Sequence, residues 1–214
     1  ETEGTFDVTF HGVGHLWSFK PGSKPPSAEA ITAALPLVDG SAIELDPPTR
    51  AVRLPKAGMK IGLGAIAKGY AVDRASALLR ERGFVDHVVE AGGDTYAAGS
   101  KAGQPWRVGV KDPGSTGSVG VLSIEERAVV TSGDYMRFFD HEGHRYAHII
   151  DPTTGWPVEA SKSPKSVTLL ARDATQADAY CTAVAVMGPE RGMAFVESRE
   201  DLDAVIIERD GTIR

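Results

Sequence analysis

Lys60-Ile61-Gly62-Leu63-Gly64-Ala65-Ile66-Ala67-Lys68-Gly69-Tyr70-Ala71-Val72-Asp73 is the stretch on which the reading of this chain turns. A glycine-rich turn runs into a helix, and Lys68 falls in the first turn of that helix. Turns of this kind bring backbone N–H groups close to an anion, and the helix N-terminus adds partial positive charge. The lysine adds a full charge that pairs with phosphate. Taken alone the stretch has two readings: a seat for a phosphate-bearing ligand such as a nucleotide cofactor, or a structural turn leading into an amphipathic helix. It is not a P-loop, because no Ser or Thr follows Lys68, and the spacing of Gly62, Gly64 and Gly69 is not that of the dinucleotide fingerprint.

Working outward, apolar residues at Ile66, Tyr70, Val72, Ala75, Leu78 and Leu79 keep a helical period over 65–82, with Gly83 as the stop. Upstream, residues 4–19 alternate in part and read as an extended segment or loop. Residues 21–26 form a Pro/Gly/Ser linker, and Ser27 caps a short helix ended by Pro36. Short strands are predicted at 42–45 and 51–54. Downstream, strands are predicted at 87–90, 106–110, 119–124, 128–131, 146–150, 167–171 and 204–208, with helices over 174–187 and 190–197. Strands and helices mix without a βαβ repeat. The expected class is α+β, with an antiparallel-rich sheet and packed helices, in one domain over 1–214.

Composition narrows the function classes. The chain has 214 residues, 42% of them hydrophobic and 24% charged, as in an ordinary globular protein. A net charge of −6 argues against nucleic-acid binding, which favours a basic face. No apolar run reaches the roughly 18 residues of a membrane-spanning helix. Cys181 is the single cysteine, which excludes an internal disulfide and a cysteine-built zinc cluster.

Four polar clusters accompany the opening stretch. Ala91-Gly92-Gly93-Asp94 suggests a tight turn with close backbone approach. Thr131-Ser132-Gly133-Asp134-Tyr135 offers two hydroxyls and a carboxylate, as a polar-ligand loop or as plain turn chemistry. Tyr146-Ala147-His148-Ile149-Ile150-Asp151-Pro152 sets His148, which exchanges protons near neutral pH, before a rigid Asp-Pro turn. In Asp178-Ala179-Tyr180-Cys181-Thr182, residues 178 and 182 share one helix face. They offer a carboxylate and a hydroxyl, a hard-oxygen pair suited to magnesium or calcium, unless Asp178 is merely solvated and Thr182 packs inside.

In order, these clusters resemble the ApbE family of flavin transferases over about residues 5–207. The family pattern looks like Gly-Ala-Phe-Asp, then Asp-Leu-Gly-Gly-Ile-Ala-Lys-Gly-Tyr-Ala-Val-Asp, Asn-Ala-Gly-Gly-Asp, Thr-Ser-Gly-Asp-Tyr, His-Ile-Ile-Asp-Pro-x-Thr-Gly and Ala-Asp-Ala-x-x-Thr. The matching segments here are Gly4-Thr5-Phe6-Asp7, then 62–73, 90–94, 131–135, 148–155 and 177–182.

The resemblance implies a T-fold-related architecture and an enzyme that binds FAD with Mg2+. It implies cleavage of the pyrophosphate, transfer of FMN to a Thr or Ser hydroxyl of an acceptor flavoprotein subunit, and release of AMP. By that similarity Thr5, Phe6, Asp7, Lys68, His148 and Ile149 contact FAD, with Lys68 toward its phosphates, and His148 is the base that takes the acceptor's proton. The backbone carbonyl of Ala65, with Asp178 and Thr182, holds the metal. A periplasmic or exported location is implied as well, and the stretch of family sequence that normally precedes Gly4 is not in this chain. Three positions depart from the pattern: Gly62 stands for aspartate, Glu90 for asparagine and Ala147 for serine. Two alternatives remain at this point: a FAD-binding protein or FAD pyrophosphatase without a protein acceptor, and an inactive partner domain.

Overall fold

The computed structural model describes residues 1–133 and 137–214, so Asp134 and Tyr135 of the second polar cluster lie outside the described residues. The chain divides into two compact units, Glu1–Leu63 with Met136–Ala160, and Gly64–Tyr135 with Ser161–Arg214. The opening stretch therefore begins in the first unit and ends in the second. The helices are α1 (His11–Gly14), α2 (Ala28–Ala34), α3 (Ala67–Glu81), α4 (Ala174–Met187) and α5 (Pro189–Glu197). The strands are β1 (Glu44–Asp46), β2 (Ala51–Arg53), β3 (His87–Ala91), β4 (Asp94–Ala98), β5 (Trp106–Lys111), β6 (Ser118–Ile124), β7 (Arg127–Gly133), β8 (Phe138–His141), β9 (His144–Ala147), β10 (Ser166–Ala171) and β11 (Asp203–Ile207).

The first unit holds α1, α2 and the antiparallel hairpins β1–β2 and β8–β9. Its core gathers Val13, Trp17, Ile31, Ala34, Phe139 and Ile150. Trp17 Nε1 donates to the Gly155 carbonyl at 2.9 Å. Gly155 has φ +74°, and a Cβ there would lie 2.7 Å from Ile31 Cγ2, so only glycine lets the Asp-Pro turn press into this core. Within residues 4–19, expected as an extended segment or loop, a 3-10 turn over Val8–Phe10 leads into α1. Asp7 caps that turn by accepting from Thr9 N at 2.7 Å, and its other oxygen accepts from Gly40 N at 2.8 Å. A bond to a residue 33 positions away overrides a weak local alternation.

The second unit is built on one five-stranded sheet in the order β11-β10-β7-β4-β3, with each neighbouring pair antiparallel. This is the antiparallel-rich α+β arrangement expected. Side chains alternate across a strand, and β4 shows the consequence. Ala97 faces Trp106 and Val108 of the β5–β6 hairpin, together with Val129 and Leu170. Asp94 and Tyr96 point the other way, toward Lys68 and Arg80 of α3. The sequence marks a turn at Gly92-Gly93 but no strand after it; the structure adds β4 there, returning against β3. Both glycines have positive φ, +62° and +96°, the geometry of a two-residue hairpin loop. Glu90, at the family's asparagine position, closes that loop by accepting from Gly93 N at 2.8 Å.

Helix α4 matches its expected bounds. Its N-cap Asp173 accepts from Gln176 N, and Gly188 at φ +82° ends it. Cys181 on this helix is fully buried, and burial pushes its thiol up to about 12, so it stays protonated and is no nucleophile. Among the described residues no helix is long and apolar enough to cross a membrane.

Candidate active site

Helices α3 and α4 of the second unit build a charged cluster. At Gly69 an added Cβ would meet the Ala174 carbonyl oxygen at 2.0 Å and Asp178 Cβ at 2.9 Å. The missing side chain is what lets the two backbones come this close. The approach aligns Lys68, next to Gly69, with Asp178, one turn beyond Ala174. Lys68 Nζ donates to Asp178 Oδ1 at 2.9 Å and to Asp94 Oδ2 at 2.6 Å. Asp178 Oδ2 accepts from Gly69 N at 3.1 Å. Asp94 comes from the first position of β4, where the Gly92-Gly93 loop delivers it.

The two carboxylates are buried, with side chains 1% and 3% exposed, while the lysine is 45% exposed. Two acids against one ammonium leave one surplus negative charge in a poorly solvated place. Burial pushes the Asp94 carboxyl up to about 6, helped by the Asp178 charge and opposed by the Lys68 hydrogen bond. Burial by itself would lower the Lys68 ammonium, but its bonds and charge pairing with Asp94 and Asp178 raise it above its usual value.

The Asp94 shift predicts a pH effect on stability. Its folded value, about 6, exceeds its ordinary 3.8, so the folded state holds the proton more tightly. The stabilising share is complete below the ordinary value and is lost as pH rises through about 6. In chelator-treated protein that share is on the order of 2–3 kcal/mol between pH 4 and 7. Asp94→Asn is expected to flatten the dependence, as read by urea unfolding across that range. An unchanged slope would show that Asp94 ionises normally.

The residues present fit a hard divalent cation. Among the described residues no three His, Cys, Asp or Glu side chains group to hold a metal, so ligands beyond the carboxylates would be a hydroxyl and a backbone carbonyl. That is an oxygen-only set with few carboxylates, as magnesium prefers. Thr182 Oγ1 donates to the Asp178 carbonyl at 3.3 Å, which spends its proton and leaves its lone pairs as acceptors. Ala65 lies just before Ile66, the α3 N-cap, which makes no side-chain bond to the helix.

The remaining expected residues belong to the first unit. Thr5 is buried and its Oγ1 donates to the Thr2 carbonyl at 2.7 Å. Phe6 is half-buried beside it, and both Asp7 oxygens are engaged as described above. His148 follows β9, half-buried, with Phe19 edge-on to its ring at 6.5 Å between centroids. Its backbone N–H donates to the Arg137 carbonyl at 3.0 Å, and Nδ1 lies 3.3 Å from the same oxygen. A proton assigned to Nδ1 on that basis makes Nε2 the basic nitrogen. Ile149 is buried, and its carbonyl accepts from Val158 N at 2.9 Å. Gly62 has a packing reason: a Cβ there would lie 2.6 Å from Phe10 Cε1 and 3.1 Å from His11 Cβ. A side chain at position 62 would run into Phe10 and His11.

The structure brings Lys68 to Asp178, with Thr182 one turn further along the same helix, and Lys68 spends two of its three donors on carboxylates. The sequence marks the Gly-Gly-Asp loop but does not assign Asp94 to the site; the structure does, through its bond to Lys68. Asp73 gains its place only in the structure: its oxygens accept from Ala174 N and Thr175 N, both at 2.8 Å.

The ApbE family pattern matches residues 1–206. The FAD:protein FMN transferase of Vibrio cholerae is 35% identical over 219 residues, covering 98% of this chain and 63% of that protein. The FAD:protein FMN transferase of Treponema pallidum is also 35% identical, covering 99% of this chain and 62% of that protein. This chain thus spans less than two thirds of the length of these relatives. The crystal structure of the ApbE protein from Thermotoga maritima superposes with a TM-score of 0.88 at 38% identity, covering 100% of this chain and 70% of that one. The flavin transferase ApbE from Vibrio cholerae gives 0.83 at 32% identity, covering 100% and 68%. The chain belongs to the ApbE family.

Proposed function

We propose that this protein transfers FMN from FAD to a Thr or Ser hydroxyl of an acceptor protein, with Mg2+, releasing AMP. One observation carries the reading: Lys68 held against the two buried carboxylates Asp94 and Asp178 with surplus negative charge, in a family whose similar members are named FAD:protein FMN transferases. Asp178, Thr182 and the Ala65 carbonyl would hold the cation. When bound, it supplies Lewis-acid polarisation of the pyrophosphate. Lys68 orients Asp178 through the hydrogen bond to Oδ1, and its third N–H is directed to a phosphate oxygen. Thr5, Phe6, Asp7 and Ile149 belong to the flavin contacts in this reading, through their main chain where side chains are already engaged.

His148 is the general base. An alcohol is a weak nucleophile until its proton has somewhere to go. Nε2 takes the proton as the acceptor oxygen bonds to the FMN phosphorus and the phosphorus–oxygen bond to AMP breaks, so AMP departs with that oxygen's electron pair. Incubation with FAD, Mg2+ and an acceptor domain is expected to give covalent, fluorescent flavin on the acceptor. Free FMN without labelled acceptor would instead identify a FAD pyrophosphatase, and FAD binding without either product would overturn both. His148→Ala is expected to slow transfer by about two to four orders of magnitude. FAD affinity should stay near wild type, as measured by flavin fluorescence titration. A rate within a few-fold of wild type would remove His148 from the role.

A further inference from the structure

The first donors of a helix have no partner inside it and must find one elsewhere. In α4, Asp173 meets the third of them, Gln176 N, at 2.7 Å. The first two are met from α3, about a hundred residues away in sequence. Asp73 Oδ1 accepts from Ala174 N at 2.8 Å, and Oδ2 accepts from Thr175 N at 2.8 Å and from Thr175 Oγ1 at 2.5 Å. Helix α3 shows the converse. Its N-cap is Ile66, which has no side-chain acceptor, and its third donor, Gly69 N, is met by Asp178 Oδ2 from α4.

The two helices therefore cap each other about a single crossing point. Gly69 faces Ala174 there. Four residues on from Gly69 comes Asp73, which caps α4, and four residues on from Ala174 comes Asp178, which caps α3. Asp178 is then held at two places: Oδ2 by the Gly69 amide, and its helix by Asp73. With Oδ2 tied down, Oδ1 is the oxygen turned to Lys68. A shift of α4 along α3 would break the Gly69 bond and carry Asp178 away from Lys68 together.

We propose that Asp73 is a positioning residue for the transfer site: by capping α4 it sets the place and orientation of the Asp178 carboxylate. This rests on the cation role given to Asp178 above. It predicts that Asp73 affects cation affinity through Asp178, without touching the cation.

Asp173 provides the control, since it caps the same helix end but, among the described residues, its side chain accepts only from Gln176 N. Asp73→Ala and Asp73→Asn are compared with Asp173→Ala in the full 214-residue chain. Two readouts are taken: the dissociation constant for Mg2+ alone by calorimetry, and hydrogen exchange of the Gly69 amide in chelator. Asp73→Ala is expected to weaken Mg2+ by about 10–100-fold, as loss of an orienting partner does. It is also expected to speed Gly69 exchange by about tenfold or more, with Asp73→Asn between it and wild type. Asp173→Ala should lower thermal stability comparably but leave both readouts near wild type. Equal effects from Asp73→Ala and Asp173→Ala, or none from Asp73→Ala, would overturn the proposal. If Asp73→Ala does not fold, Asp73→Asn decides by the same measures. If the wild-type protein takes up no Mg2+, the cation assignment fails, while Gly69 exchange still decides whether Asp73 places Asp178.

Discussion

Asp178→Ala is expected to abolish Mg2+-dependent flavin transfer, because one carboxylate serves three purposes. It pairs with Lys68, caps the Gly69 amide and supplies the candidate anionic ligand. Without it, Lys68 is left with Asp94 in a neutral pair, and the surplus negative charge that favours a divalent ion is gone. Orientation and charge are therefore lost together. Asp178→Asn separates the two effects. The amide oxygen is still able to accept from Gly69 N, so the fold is retained, but the charge is absent. Both variants are expected to transfer flavin at background rates, with Asp178→Asn melting above Asp178→Ala. Transfer by Asp178→Asn that still depends on Mg2+ would show that the ion is held elsewhere.

Gly69→Ala is expected to be among the most destabilising single substitutions in the second unit. Helix propensity alone points the other way, since alanine is favoured over glycine in a helix by about 1 kcal/mol. The geometry decides against propensity. A Cβ 2.0 Å from the Ala174 carbonyl oxygen meets backbone, which has no alternative rotamer. The helices must separate, and overpacking of this kind costs at the upper end of about 1–3 kcal/mol or beyond. For a chain of this length that is a fall in Tm of roughly 6–12 °C. Separation also pulls Gly69 N from Asp178 Oδ2, so Mg2+ affinity should fall with stability. A higher Tm in Gly69→Ala would refute the close crossing of α3 and α4.

Where local signals were strong, the sequence located the elements well. Helix α4 was expected over 174–187 and occupies that span, because Asp173 caps its start and Gly188 stops it. Strand β10, expected over 167–171, begins one residue earlier at Ser166. Where signals were weak, distant partners decided. Residues 8–14 turn helical under Asp7, whose second oxygen is held by Gly40 N. Strand β4 exists because β3 and β7 flank it, and nothing in Asp94-Thr95-Tyr96-Ala97-Ala98 announces a strand as strongly as those neighbours impose one.

The candidate site divides in the same way. The order of its motifs, the hard-oxygen character of Asp178 and Thr182, and the positive charge of Lys68 at a helix start were all legible in the chain, because residue type and short spacing determine them. Three facts were not. Lys68 is held between two buried carboxylates, Asp94 completes that cluster, and Asp73 and Asp178 each cap the other's helix. Each depends on segments brought together over a separation of 26 to 110 residues. A local pattern carries no information about such a pairing. It arises only when the sheet places β4 beside α3, and when a missing side chain at Gly69 lets α3 and α4 approach closely enough to share their caps.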